Sequence, residues 1–433
     1  MAKEKIEDVL VPAKDQPYPI PTNWLWMQLK GVVSVSKERT DAFTDSTIRY
    51  VGLEHMRKDE GIVSSGSPTD VRSTKNVFHA GQVLYGKLRP YLNKHDVAMF
   101  DGICSTDILV FDVLSRSIPQ YVNYYLDQRE FIRYVVENSK GINLPRVSEK
   151  EILSAVIPLP PLPEQQRIVD RIESLFAKMD EAKEKSEAVV DGYEDRKAAI
   201  LHQAFTGELT AVWRKKNSIP DSWKKSPFEK CISVMQNGIS KRKGTDGEPY
   251  VVLRLANLTD DGFDTNDLRE IFLDEKEQKA YALKPDDVLM IRVNGSKDNV
   301  GKLFAVGDQQ KWAFCDHIIR MRYTKDISSK YMVYYSQTRE YKTYVMDNMV
   351  SSAGQNTISR KGMAGLIIPI PKIEEQMEIV DILDRLITQE KSIKEAAEQV
   401  ISQIDTMKKA ILAHAFRGEL GTNDPSEPPA DIS

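Results

Sequence analysis

Two stretches of this chain carry apolar residues at alternating steps of four and three. Ile168, Ile172, Leu175, Met179, Ala182, Val189, Tyr193 and Ile200 form one series. Ile379, Leu383, Leu386, Ile393, Ala397, Val400, Ile404, Met407 and Ile411 form the other. Charged residues fill the remaining faces. This spacing predicts two amphipathic helices with the narrow seam of a coiled coil. Each stretch runs for about 42 residues without proline, a rod of roughly 60 Å at ~1.5 Å per residue. A proline-rich segment opens each one, and Gly207 or Gly418 closes it, as helix-stop residues do.

The two stretches are copies. Residues 157–209 and 368–420 align without a gap at an offset of 211, with 22 of 53 positions identical. Two unrelated surface helices would share a seam but not this register, so the chain is read as an internal repeat. The opening prolines (Pro158, Pro160, Pro161 and Pro163, then Pro369 and Pro371) predict extended joints.

Outside the rods the pattern changes to short apolar runs broken by turns: VVSV at 32–35, YVGL at 50–53, VLYG at 83–86 and DILVFDV at 107–113. Tyr121 to Glu137 has helical spacing. These features predict a mixed globule with several short strands. A second globule repeats the first. IPTNW at 20–24 matches IPDSW at 219–223, YVGLEHM at 50–56 matches YVVLRLA at 250–256, and YVNYYLDQRE at 121–130 matches YMVYYSQTRE at 331–340. GQVLYGKLR at 81–89 parallels PDDVLMIRV at 285–293. The offset drifts from 199 to 211, which places the extra residues in loops.

The expected fold is therefore α+β: two pseudo-symmetric mixed α/β domains separated by two long helices that form an antiparallel coiled coil. Short proline joints leave little chain for the return path that parallel rods would need. The expected segments are an arm at 1–18, a first domain at 19–163, a central helix at 164–216, a second domain at 217–373, a C-terminal helix at 374–421 and a disordered tail at 422–433.

Composition narrows the function. A chain of 433 residues with 41% apolar content supports several globular cores. No signal peptide or membrane-length apolar run is seen. Cys104, Cys231 and Cys315 form no CxxC pair and read as reduced thiols of a cytoplasmic protein. The net charge of −4 gives no overall pull towards nucleic acid, so any such binding must come from local clusters.

Catalytic patterns are missing. The six histidines show no metal spacing, and His202 and His414 sit one position out of register in the two rods. GSKDNVGK at 295–302 imitates a phosphate loop, but it has five residues between its glycines and Leu303 after Lys302. A working loop needs four, then Lys followed by Ser or Thr. There is no glycine-rich cofactor turn and no Asn/Asp-Pro-Pro-aromatic quartet. Neither catalytic residues nor a metal site are expected.

Basic clusters interleaved with aromatics or amides are present instead. YGKLRPYLNKH at 85–95 offers Lys87, Arg89, Tyr91, Asn93 and Lys94. IRVNGSK at 291–297 follows the matching VL strand of the second globule and offers Arg292, Asn294, Ser296 and Lys297. NGISKRKG at 237–244 adds Lys241, Arg242 and Lys243. Lys and Arg neutralise phosphates, and Asn, Ser and Arg also read base edges. Paired loops of this kind favour double-stranded DNA over a protein adaptor with two tandem binding domains, although the acidic total charge suits the adaptor.

The repeated joints IPLPPLPEQQRIV and IPIPKIEEQMEIV, and the repeated ends AILHQAFTGELT and AILAHAFRGELG, make the chain similar to the specificity (S) subunit of type I restriction–modification systems. YVGLE, LRPYLNK and VNGSKDNVG add to the likeness, which covers residues 19–421. The resemblance implies two target-recognition domains, each reading one half of a split, asymmetric DNA site, spaced by the two helices. It implies partners: two methyltransferase (M) subunits and two restriction (R) subunits. It implies no cofactor in this chain, with S-adenosylmethionine, ATP and magnesium used by the partners. Two such readers centred one helical turn apart, ~34–36 Å or ~10 bp, would leave roughly 6–7 base pairs unread between them. Gly421 departs from the repeat, standing where Thr210 stands in the first copy.

Overall fold

The computed structural model describes residues 8–41, 48–67, 73–220, 222–260, 262–308 and 311–430. Two compact units emerge. Unit 1 holds residues 1–186 and 399–433, and unit 2 holds 187–398. The long helices are thus not a separate spacer module. Each unit takes one globule, the start of the helix that follows it, and the end of the other long helix.

In unit 1 an antiparallel sheet runs in the order 33–35, 108–113, 83–86, 95–97. A second sheet runs 39–40, 75–78, 102–104, 49–51, and its last pair is parallel. All four residues of Val83–Gly86 are buried, so this strand reads as an unbroken apolar run rather than an alternating one. Unit 2 repeats the first sheet in the order 232–237, 318–323, 288–291, 303–305, while its second sheet keeps the parallel pair but runs 270–273, 248–253, 312–314, with 248–253 in the middle.

Strand registers correct the alignment of the two globules. Val51 faces Cys104 and Leu253 faces Phe314 in the parallel pairs, so Gly52 corresponds to Arg254. The matching of Tyr50 with Tyr250 is two residues out. Gly86 faces Ile108 and Ile291 faces Ile318, so Arg89 corresponds to Asn294, one residue away from the sequence alignment. The helix expected over Tyr121–Glu137 is two helices, Pro119–Leu126 and Arg129–Glu137, parted where Gln128 turns extended. Ser329–Tyr335 and Arg339–Asn348 repeat the pair.

The proline joints are strands. Residues 156–159 pair with 25–28, and 367–370 with 224–227. A proline lacks the N–H, but its carbonyl still accepts. The Tyr121 hydroxyl donates to the Pro158 carbonyl at 2.7 Å, and Tyr331 donates to Pro369 at 2.8 Å. Gln165 and Gln376 fasten the next turn. Their amides donate to the Pro160 and Pro371 carbonyls at 2.9 Å each, and their oxygens accept from the Ile118 and Ser328 backbones. Both glutamines are fully buried. This explains the residue types of the repeated joint.

The second long helix, Ile373–Ala415, is continuous. The first is not: it runs Leu162–Asp191 and resumes at Tyr193–Thr206. At the break the Arg196 guanidinium donates to the Val189 carbonyl at 2.9 Å, and a Cβ at Gly192 would lie 2.6 Å from it. A side chain inserted into the helical ladder is a recognised cause of such breaks.

Within each unit the helix segments run antiparallel. In unit 1 Lys408 pairs with Asp180 at 2.5 Å and lies over Phe176, while Leu412 joins the core of Ile168 and Ile172. In unit 2 Lys394 lies over Tyr193 and Glu390 pairs with Arg196 at 2.7 Å, while Ile379 and Leu383 share a core with Leu201 and Ala204. The seam is narrower than its spacing suggested. Ala397 and Ile404 are buried, but Ile393, Val400 and Met407 are 40–49% exposed. A helix meeting one neighbour buries only one line of side chains.

The phenylalanine of each AF-x-GEL end is an anchor. Phe416 sits 5.0 Å from the Tyr121 ring and 5.8 Å from Tyr125. Phe205 sits 5.0 Å from Tyr331 and 5.2 Å from Tyr335. Phe416→Ala is expected to destabilise unit 1 by about 3–5 kcal/mol, read as faster hydrogen exchange across residues 119–137 with unit 2 unchanged.

The arm is docked, and so is the tail expected to be disordered. In the arm, the Gln28 N–H donates to the Val9 carbonyl at 2.8 Å and the Val11 N–H donates to Trp26 at 2.9 Å, with Val9 buried. In the tail, Arg167 donates both its terminal nitrogens to Glu427 at 2.9 and 2.8 Å, and Asn423 donates to Glu164 at 2.8 Å. The tail's polar, proline-rich composition concealed these fixed partners. Residues 1–7 of the arm and 431–433 of the tail lie outside the described residues.

Candidate nucleic-acid interface

The first basic loop is built at the end of strand Val83–Gly86. Arg89 (φ 52°) and Asn93 (φ 42°) flank a tight turn at Pro90–Leu92. Two non-glycine residues in the left-handed region cost energy and need outside support. The Arg89 N–H donates to the Pro145 carbonyl at 2.7 Å, and the Gly86 N–H donates to Lys94 at 2.8 Å.

The five candidates here separate into two groups. Lys87 is half-buried, Arg89 is exposed and Tyr91 is 49% exposed, so these side chains reach solvent. Asn93 does not. It is 2% exposed, and its amide donates to Asp127 at 3.0 Å. The same aspartate faces His95 Nε2 at 3.0 Å, and Asn123 Oδ1 faces Nδ1 at 2.7 Å. Burial alone would lower the His95 pKa, but Asp127 and Asn123 outweigh it and hold it above the ordinary value. Asn93 is therefore part of a buried polar network, not a DNA contact. Lys94 is also occupied, donating to the Leu53 carbonyl at 2.7 Å.

In unit 2 the second loop follows strand Val288–Ile291. Arg292 is half-buried and its Nε donates to the Asp316 carbonyl at 3.2 Å. Asn294 accepts from the Ser296 N–H at 2.9 Å, closing the turn that exposes Ser296 and Lys297. Asn294 is thus a shaper of the loop. In the third cluster Lys241 is neutralised by Glu277 at 2.7 Å, whereas Arg242 and Lys243 are exposed.

The third cluster borders a cavity. Arg242, Arg254, Arg269 and His317 line one cavity of about 230 Å³ with Asp316, the residue whose carbonyl holds Arg292. Arg254 and Arg269 were not singled out from the sequence: Arg254 stands alone in an apolar run, and Arg269 has Asp267 and Glu270 beside it in the chain. Cys315, Asp316 and His317 bring three potential metal-ligand atoms within 4.8 Å of one another. Burial pushes the Cys315 thiol pKa up.

Both basic loops lean on an element that sequence reading missed. In unit 1 Lys140 and Arg146 exchange backbone hydrogen bonds of 2.8 Å each, closing a five-residue tip. In unit 2 strands Val350–Ser352 and Gln355–Thr357 form a hairpin beside Val293–Asn294. Ala353 and Gly354 turn it with φ of 48° and 76°, the signs of a type I′ turn. The contacts correspond: Arg89 bonds to Pro145, and Asn294 pairs with Asn356, again at an offset of 211. The signal was available just upstream of the repeat. Val147 and Ile358 are both buried, and Ser148 and Ser359 both cap a following helix.

A family profile described as the type I restriction modification DNA specificity domain matches residues 21–190 and 250–403. The chain belongs to this family. Among individual relatives of the type I specificity subunits, the StySPI specificity subunit of Salmonella potsdam is 32% identical over 319 residues, 73% of this chain and 68% of its own length. The EcoKI specificity subunit of Escherichia coli is 29% identical over 336 residues, 77% and 71% of the two chains. The HsdS subunit of Thermoanaerobacter tengcongensis shares the fold, with a TM-score of 0.69 at 20% identity over 94% of this chain and all of that one. A chain from a structure describing assembly and conformational transition of the type I R-M system gives 0.64 at 22% identity, covering 93% and 100%. As a type I specificity subunit, the chain recognises DNA sequence. Its two target-recognition domains are the two globules. No helix among the described residues is long and apolar enough to cross a membrane.

Proposed function

We propose that this specificity subunit reads an asymmetric two-part DNA site, one part with each unit, and docks two M and two R subunits without catalysing a reaction itself. S-adenosylmethionine, ATP and magnesium then belong to the partners, and the complex acts in the cytoplasm. The observation that carries this reading is the same basic turn and adjoining hairpin built twice with different side chains: Lys87, Arg89 and Tyr91 beside 140–146, and Ser296 and Lys297 beside 350–357. A shared scaffold with divergent tips suits two unlike half-sites. The long helices set the distance between those half-sites.

Arg242, Lys243 and Lys297 grip phosphates of the second half, and Arg89 those of the first. Arg89→Ala and Lys297→Ala are each expected to weaken binding of the complex with M to all duplexes alike. Each should also lower the slope of log affinity against log salt by about one. Loss confined to the cognate sequence would instead assign that residue to base reading. Long-read methylome sequencing of a host with and without the gene tests the larger claim. A two-part methylated motif should disappear with the gene, and no change would favour the protein adaptor.

A further inference from the structure

We propose that the tip of the 140–146 loop is a wedge, and that Ile142 enters the duplex at the half-site read by unit 1 and unstacks a base step. This rests on the DNA-reading function above and names a specificity residue within it.

Ile142 is 100% exposed and Leu144 is 48% exposed. Leaving an isoleucine in water forgoes burial worth about 1.5–3 kcal/mol, so a position that keeps one fully outside invites a ligand that covers it. The tip does not hang loosely. Lys140 and Arg146 lock its neck with two backbone bonds of 2.8 Å, Arg89 donates to Pro145 at 2.7 Å, and Val147 donates to Lys87 at 3.1 Å. Val147 below the neck is buried, and Pro145 fixes its own φ. The result is a braced support for one apolar side chain.

The surroundings select the ligand. Lys140 and Arg89 are exposed and Lys87 is half-exposed, and none of the three makes an ion pair among the described residues. An apolar tip ringed by cations suits a polyanion with an apolar interior, which describes stacked bases inside a phosphate backbone. Proteins that insert Ile, Leu or Met between base steps unstack them and kink the duplex.

Unit 2 supplies the control. Its hairpin occupies the same place in the fold, but its turn is Ala353–Gly354, flanked by exposed Ser352 and Gln355. A structural requirement for an apolar tip would appear in both copies. The difference places Ile142 among the features that make the half-sites unlike, with unstacking in one and hydroxyl and amide edges offered in the other.

The test uses the full chain purified with its M subunits and cognate duplexes carrying 2-aminopurine at successive positions of the unit 1 half-site. Wild type should raise the fluorescence several-fold at one step. Ile142→Ser should return it to the free-duplex level and Ile142→Leu should retain it, both assembling normally with M. Bound duplex with the probe quenched at every position would overturn the wedge and leave DNA reading intact. Loss of M from the Ile142→Ser complex would overturn it in favour of a protein-docking tip. No binding of any duplex by the wild-type complex would remove the DNA-reading function, and the wedge with it.

Discussion

Replacing Glu375 by alanine is expected to destabilise unit 2 by about 3–5 kcal/mol, the cost of stranding a buried charge. Glu375 and Arg214 are 1% and 6% exposed at their side chains and lie 2.5 Å apart. Thr210 donates to the same carboxylate oxygen at 2.7 Å, and the second Arg214 nitrogen donates to the Gly207 carbonyl at 2.8 Å. One carboxylate thus ties the first turn of one long helix to the segment that follows the other. Removing it takes away the carboxylate that Arg214 pairs with while the guanidinium stays buried. Hydrogen exchange over residues 373–387 and 201–216 should rise together, and unit 1 should be unaffected. If both stretches keep their protection, the pair is replaceable by water and the assignment is wrong.

The corresponding residue in unit 1 behaves differently. Glu164 is fully buried, but the Trp24 indole and the Asn423 amide, both neutral, donate to it at 2.8 Å each. Burial outweighs those bonds and raises its pKa. A carboxyl whose pKa is higher in the folded state stabilises most below its unfolded value, and that contribution is lost as pH rises through the folded value. Glu164→Gln should therefore flatten the decline in unit 1 stability above about pH 4.5 and change stability near neutrality by only about 1 kcal/mol.

These two glutamates show what could be read in the sequence. The EQ pair of each joint is visible as a repeat, but its chemistry depends on residues outside the repeat. Thr210 and Arg214 complete one site, and Trp24 and Asn423 the other. Gly421, which breaks the repeat opposite Thr210, marks this divergence. The seam, the buried strand 83–86 and the paired basic turns were legible because periodicity and local charge are properties of neighbouring residues. Asn93 was misread because a loop amide looks the same whether it faces DNA or Asp127. The hairpins at 140–146 and 350–357 were missed because their tips share almost no residues, while their fixed features, the buried Val147 and Ile358 and the capping serines, lie just behind them. What repeats is the support, and what differs is the surface that it presents.

If the paired helices set the spacing of the two half-sites, lengthening both by seven residues should lengthen the unread spacer by about three base pairs. Seven helical residues add about 10 Å at ~1.5 Å each, and B-DNA rises about 3.4 Å per base pair. A heptad is the right unit because it turns the seam by only about 20° relative to a straight helix. A shorter insertion would rotate the buried line of Ala397 and Ile404 into water. Both helices must be extended together. Lys408 pairs with Asp180 in unit 1 and Arg196 with Glu390 in unit 2, so adding to one helix alone would throw one of these contacts out of match. Insertions after Ser186 and after Val400 leave both ion pairs and both phenylalanine anchors within their own units. The methylome of a host carrying this variant should keep the bases of each half-site and lengthen the gap. An unchanged gap would show that the M subunits, not the helices, fix the spacing, and altered half-site bases would show that the helices take part in reading.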